Sequence, residues 1–353
     1  MVLVFVIIMY VGLGLFWEDR IFRGDTISFV SIIMEIIPFF GAVLMYLYFL
    51  KSEDQKGLRI VIYLSFLFIV ITTILTIRGL MIEPMAVRFA MSGRTDLIDL
   101  DVSILGIGGY GFFNGIMLLM PAMAYFMNKP EYGVIKKTFI LLFVAFAIYP
   151  MVLAGITTTF LLAVVIFIYA AFFVKKFKAK LYIPIIIIVS GLFVLNHLTA
   201  DLIHFISQQI NESVIKTRLE DLSTTVRLMD FSPEEADTYF ARVRLALTLQ
   251  SLQGFLANPL IGTGDSGGHS YWLDRLAMFG LVGWFPILMI FYQQVKLQKI
   301  TLLNAHYPYF LVSIYAILLF GIMKGNVVSP QTMVVLFFLV PGIFLLEIRN
   351  DST

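Results

Sequence analysis

SLQGFLANPLIGTGDSGGHSYWLDRLAMFGLVG, residues 251–283, joins a Gly-rich turn, a lone histidine and several charged side chains directly to the start of a long apolar run. From residue 271 to about 293 the sequence stays apolar, long enough to cross a bilayer. His269 and Ser270 therefore fall at the mouth of a membrane helix, at the level of the surface. Polar groups at that depth are costly, and where they occur they point to function.

The rest of the chain extends this reading. Over 353 residues, 60% are hydrophobic and only 14% are charged, and the mean hydropathy is +0.93. A soluble core would leave too much of that apolar surface exposed, so the composition describes a polytopic membrane protein surrounded by membrane lipids. A net charge of +2 favours neither nucleic acid nor an acidic partner. The absence of Cys excludes disulfides, thiolate metal sites and a Cys nucleophile. The first residues, MVLVFVIIMYVGLGLFW, lack a basic leader region and a small-residue cleavage site, which predicts a first membrane helix in place of a removable signal.

About ten spans of bilayer length are expected, near residues 2–16, 28–50, 58–77, 103–127, 135–150, 155–174, 180–197, 271–293, 307–324 and 330–347. Their connectors alternate in charge. One set holds Lys51, Lys56 and Arg59, then Lys129, Lys136 and Lys137, then Lys175, Lys176, Lys178 and Lys180, then Lys296 and Lys299; the other set has only Lys216 and Lys324 among lysines. Cytoplasmic loops carry the excess of positive charge, so both termini are expected in the cytoplasm.

Two connectors on the opposite, outer side are long, about 78–102 and 198–270. In the second, Leu202, Ile206, Ile210, Val214 and Leu219 recur at helical spacing and predict an amphipathic helix against the membrane. Ser232-Pro233-Glu234-Glu235 then reads as a capping box opening a second helix that runs towards Asn258 and is stopped by Pro259. No internal repeat or low-complexity linker divides the chain, which is read as a single domain, 1–353, with the extracytoplasmic loop 198–270 inside it.

Several groups in and around that loop could carry chemistry. The series Gly262, Gly264, Gly267 and Gly268 is either a set of flexible turns or a means of aiming backbone N–H groups and a helix N-terminus at a phosphate. Arg218, Arg227, Arg242 and Arg244 precede it; they are either a solvated face or an anion site, for which the planar guanidinium fork is suited. Asp274 and Arg275 in the first turns after His269 should face the protein interior or the interface, Asp274 orienting an imidazole or pairing with an arginine. Ala277, Gly280 and Gly283 would give that helix a face for close packing. Gly106 to Gly111 spells GxGxxG, but with no βαβ context it reads as small residues inside a membrane helix. Of the other histidines, His306 is expected as an interface anchor, while His197 and His204 open the large loop. No His pair has the spacing and carboxylate company of a zinc site, so no metal or other cofactor is expected.

Asn258-Pro259-Leu260-Ile261-Gly262-Thr263-Gly264, then His269-Ser270-Tyr271-Trp272-Leu273, then Gly280 eleven residues after the His, resembles the signature of the O-antigen ligase and polymerase superfamily. Arg244, fifteen residues ahead of Pro259, matches that family's Arg-x-x-x-Trp segment, with Thr248 in place of the aromatic and Arg242 as a rival. The match covers roughly forty residues; elsewhere only the layout is shared. The resemblance implies a GT-C-like bacterial inner-membrane enzyme that transfers glycans from undecaprenyl pyrophosphate without a metal. His269 would serve the acceptor hydroxyl; Arg244, Arg242, Arg227, Arg218 and Arg275, with Gly264, Gly268 and Ser270, would hold the pyrophosphate; Asp274 and Tyr271 would support them. A repeat-unit polymerase of O-antigen, capsule or exopolysaccharide is favoured, working with chain-length regulator and flippase proteins. The alternatives are a ligase acting on lipid A core and, from another class, a lipid-linked oligosaccharide flippase.

Overall fold

The computed structural model describes residues 21–22, 25–26, 29–83, 86–87, 106–174, 204–205, 207–209, 216, 220, 239–264, 266–325 and 327–351. A two-residue antiparallel ladder pairs β1 (Ile21–Phe22) with β2 (Asp25–Thr26). Every longer described element is helical: α1 (Phe29–Ser52), α2 (Gln55–Ile82), α3 (Tyr110–Met127), α4 (Val134–Leu153), α5 (Thr157–Phe172), α6 (Tyr239–Ala257), α7 (Tyr271–Thr301) and α8 (Tyr307–Met323). The last, α9, runs as Pro330–Val334, a π-helical turn Val335–Leu339 and Val340–Asp351. That π turn lies just ahead of Pro341, whose missing N–H prevents a regular ladder there.

Among the described residues, five helices are long and apolar enough to cross a membrane: Gln55–Ile82, Tyr110–Met127, Val134–Leu153, Tyr271–Thr301 and Pro330–Asn350. Thr158–Phe172 and Tyr307–Ile322 are apolar but shorter, and Phe40–Ser52 is an apolar part of the 24-residue α1. Eight of the expected spans thus fall on observed helices, while 2–16 and 180–197 lie outside the described residues. In a solvent with no hydrogen bonds to offer, the helix satisfies its own backbone, so long apolar runs have little choice of structure.

The bundle is organised around α3, which is buried from Phe113 to Tyr125 and packs against α4, α5, α8 and α9. Small residues permit this crowding: at Gly115 a Cβ would stand 3.2 Å from Val335 Cγ2 of α9. Inside the bundle Ser313 Oγ of α8 donates to the Leu118 carbonyl of α3 at 2.9 Å. The outward face of α2, with Tyr63, Leu67, Phe68 and Ile71, is exposed and apolar, as lipid requires.

Contacts between helix ends confirm the alternation of direction along the chain. At one end Lys129, following α3, pairs with Glu347 of α9, and Asn128 Nδ2 donates to the Ala171 carbonyl of α5 at 2.6 Å. Arg349 NH2 donates to the carbonyls of Phe49 and Leu50, at 3.0 and 3.4 Å, two of the last acceptors of α1. Gln55 Nε2 and Arg59 NH2 both donate to Asn350 Oδ1, at 2.8 and 3.0 Å. This is the lysine-rich end. At the opposite end the starts of α3, α7 and α9 meet the ends of α2 and α8; Gly108 N–H donates to Thr76 Oγ1 at 2.8 Å, and Tyr271 N–H donates to the Lys324 carbonyl at 3.0 Å.

Two sequence expectations change here. The GxGxxG stretch does not lie within a helix: residues 106–109 are non-helical, with φ +63° at Gly106, and α3 starts at Tyr110. Glycines are the poorest helix formers after proline, and the side-chain hydroxyl of Thr76 gives the unwound backbone an acceptor. His306 is not an interface anchor. It is 1% exposed, with its ring 4.8 Å from Tyr125 and 5.4 Å from Phe344, a core position among aromatic rings.

The large loop is described in part. α6 ends at Ala257, two residues ahead of Pro259, as the proline predicts. The proposed helix start at Ser232 and most of the amphipathic segment lie outside the described residues.

Candidate functional site

The His269 end is built on a break in α7. Gly280 has φ +61° and ψ −169°, a conformation open to glycine and unfavourable for other residues. A regular helix would send the N–H groups of Leu281 and Val282 to the carbonyls of Ala277 and Met278. Instead they donate to the carbonyls of Pro259 and Leu260, at 2.8 and 3.0 Å. The carbonyls so released accept from Thr263 and Gly264, at 2.8 and 3.3 Å. The stretch 259–264 is therefore a strap seated in the broken helix, and it supplies new partners to the N–H groups of Leu281 and Val282 and to the carbonyls of Ala277 and Met278.

The strap explains the glycines. A Cβ on Gly280 would run into the Leu260 carbonyl group, and one on Gly262 (φ +77°) into the carbonyls of Met278 and Ala277. Gly280 is thus the point where two backbones touch: the close packing expected of it is found, but at a break in α7 and not on a regular helical face shared with Ala277 and Gly283. Gly280 lies nine residues into α7, about 14 Å along the axis at the usual rise.

Next comes the turn that carries His269. Ser251 of α6 is fully buried; its Oγ accepts from Gly267 N–H at 2.8 Å and donates to Asp274 Oδ1 at 2.6 Å. The same Asp274 oxygen accepts from Gly268 N–H at 3.1 Å, and Asp274 is only 4% exposed. Three separate segments, α6, the turn and the first turn of α7, are thereby joined through one hydroxyl and one carboxylate oxygen. Here Asp274 holds the turn, a role the sequence did not suggest. Gly264 and Gly268 were expected to offer their N–H groups to a phosphate, but these groups donate to the Met278 carbonyl and to Asp274. Their role is in the fold.

His269 follows directly and is half-buried. Ser270 is buried, its Oγ donating to the Gly321 carbonyl at 3.4 Å and its own carbonyl accepting from Asp274 N–H at 2.7 Å. Tyr271 is buried beside it, and Trp272 Nε1 donates to the Leu318 carbonyl at 2.7 Å. The start of α7 is thus fixed against the end of α8. Arg275 was expected among the anion ligands. Its guanidinium carbon lies 5.0 Å from the Tyr271 ring centre and 5.8 Å from that of Phe279, and the residue is 8% exposed, so the cation is held between aromatic rings one turn to either side.

Of the other arginines, Arg218 and Arg227 lie outside the described residues. Arg242 and Arg244 are on α6, which packs along α7. At 3.6 residues per turn, Arg244 is close to two turns before Ser251 and shares its side of the helix, whereas Arg242 is half a turn away from that side. His204 is exposed, with Gln208 Nε2 3.1 Å from its Nε2, and His197 lies outside the described residues.

Sequence reasoning did not single out Ser251 for the site. A serine within a helix has no signature, and its partner is 23 residues away. Lys324 was visible only as a rare lysine on its side of the membrane; its carbonyl receives the first N–H of α7. No protein-family model matches the chain, and no curated protein is similar to it.

Proposed function

We propose that this chain is a glycosyltransferase of the bacterial cytoplasmic membrane that polymerises undecaprenyl-pyrophosphate-linked repeat units at the outer face, in a GT-C-like bundle of about ten spans with both termini in the cytoplasm. The observation that carries the reading is the half-buried His269, set on a turn braced from below by Ser251 and Asp274 at the mouth of α7 and packed against the helix that bears Arg244. A polyprenyl donor lies in the membrane with its pyrophosphate at the surface, where such a site meets it.

The chemistry is a single displacement. A hydroxyl oxygen of the acceptor sugar forms a bond to the anomeric carbon of the donor, and the bond from that carbon to the pyrophosphate oxygen breaks. The electron pair leaves with the pyrophosphate, whose charge an arginine stabilises. The hydroxyl proton passes to the imidazole of His269. No step calls on a metal or other cofactor.

A break such as that at Gly280 also occurs in transporters, where unwound backbone coordinates the cargo. Here the strap occupies the unwound groups, which favours an enzyme over the flippase.

Reconstitution with a lipid-linked repeat separates the readings. A polymerase lengthens the glycan, a flippase moves it unchanged, and a ligase acts only when lipid A core is supplied. General-base help is worth about 10² to 10⁴ in rate, so His269→Ala should lose lengthening by that factor at unchanged membrane abundance. Unaltered lengthening by His269→Ala would remove the histidine from the mechanism. Reporter fusions after Lys137 and Lys299 should read cytoplasmic, and a fusion near Ser232 external.

A further inference from the structure

We propose that Ser251 and Asp274 are a positioning couple, which locks the turn at residues 267–268 so that His269 is held against the side of α6 that carries Arg244. This rests on the transferase reading above and adds to it which groups set the histidine relative to the arginine.

The geometry of Ser251 is the starting point. A serine within a helix ordinarily donates to the carbonyl four residues back, and Leu247 offers one at 3.2 Å. Asp274 Oδ1 is nearer, at 2.6 Å, and a carboxylate is the stronger acceptor, so the hydroxyl proton goes there. That leaves the Ser251 lone pairs facing Gly267 N–H, which donates at 2.8 Å. Gly267 has no room for any other residue, because a Cβ would overlap the Leu247 backbone. The turn therefore lies directly on α6, at the level between Leu247 and Ser251, and Arg244 is the next position along that side of the helix.

The choice of a carboxylate is the second observation. Burying one carries a large desolvation cost, and closing a turn requires only neutral acceptors. Bonds to a charged acceptor are roughly twice as strong as neutral ones, so two of them on one oxygen make the turn stiff. Stiffness next to the reacting group has a function in catalysis, since a displacement of about 1 Å can cost about 10² in rate.

The test combines an activity readout with one independent of activity. Because the chain contains no Cys, His269→Cys carries the sole thiol, and its rate of labelling by a water-soluble maleimide reports how firmly the turn is held. In full-length protein in nanodiscs, adding Ser251→Ala or Asp274→Ala should raise that rate about tenfold, while Asp274→Asn, which keeps an acceptor oxygen, should raise it less. With His269 intact, Ser251→Ala should lower kcat for lengthening on the order of 10², leave KM for the lipid-linked donor within about twofold, and lower the melting temperature of the purified protein, because two buried hydrogen bonds are lost. Ser251→Thr, which restores the hydroxyl, should recover most of kcat. Arg244→Ala should lose more activity than Arg242→Ala. Unchanged labelling in both alanine variants overturns the proposal, as does a loss confined to KM, or a larger loss from Arg242→Ala. If Ser251→Ala does not fold, labelling in Asp274→Asn against Asp274→Ala decides, equal rates overturning the proposal. If wild-type protein does not lengthen a lipid-linked repeat, the transferase reading fails, and the labelling arm still decides whether the couple holds the turn.

Discussion

The two ends of the bundle are held together in different ways. At the lysine-rich end the last turn of α9 reaches out with side chains: Glu347 to Lys129, Arg349 to the end of α1, Asn350 to Gln55 and Arg59. At the His269 end backbone lies on backbone, the strap 259–264 in the break at Gly280 and the turn at Gly267 on α6. Side-chain ties are parallel and can be lost one at a time, whereas a backbone contact fails once any Cβ intrudes. The end that carries His269 uses the second kind. Rigid elements position reacting groups better than loops do, and the strap makes a loop behave as part of a helix.

The comparison is broken most sharply at Gly280. Gly280→Ala forces an L residue to φ +61°, about 1–3 kcal/mol of strain, and drives a methyl group into the Leu260 carbonyl, about 1–3 kcal/mol of overpacking. The expected outcome is a large fall in melting temperature in detergent, with loss of activity in whatever protein survives. Gly41→Ala is the control: a Cβ there meets nothing within 4 Å, so no fall is expected. Equal melting of the two variants would mean that the strap does not hold α7.

A smaller effect is expected at the other end. Glu347→Gln removes the nearer carboxylate from Lys129, which is 9% exposed. Hydrogen bonds to charged groups are worth about 1.5–3 kcal/mol, and Glu131, 3.3 Å from the same ammonium, retains part of that. The melting temperature should fall, but the labelling rate of a Cys at position 269 should not change. A change in labelling would show that the ends are coupled, and the division drawn here would not stand.

The parts of this molecule visible in its sequence are those governed by local pattern. Apolar runs gave the helices, since lipid leaves the backbone few alternatives, and Pro259 marked the end of α6 to within two residues. What the sequence hid depends on distance. Gly280 follows Ala277 at helical spacing and so reads as packing; nothing local says that Pro259 and Leu260 will fill a gap there. Likewise Ser251 and Asp274 meet only because α6 folds back along α7. Gly264 and Gly268 suggested an anion cradle because a glycine-rich turn before a helix offers donors, yet those donors were claimed by Met278 and Asp274. The unpaired carbonyls of the broken helix were the stronger competitor.

The smallest expected effect is at Asn350, and it sharpens the comparison most finely. Its side-chain oxygen accepts two bonds, from Gln55 and Arg59, but both contacts are exposed, and water can replace what Asn350→Ala removes. Exposed polar contacts are typically worth under about 1 kcal/mol. If side-chain ties at this end act in parallel, with Arg349 and Glu347 still in place, the variant should melt within about a degree or two of wild type. Combining Asn350→Ala with Glu347→Gln should then give the sum of the separate shifts, because Asn350 holds Gln55 and Arg59 while Glu347 holds Lys129. A shift well beyond that sum would show that the last turn of α9 acts as a single clasp, cooperative in the way the glycine contacts at the opposite end are.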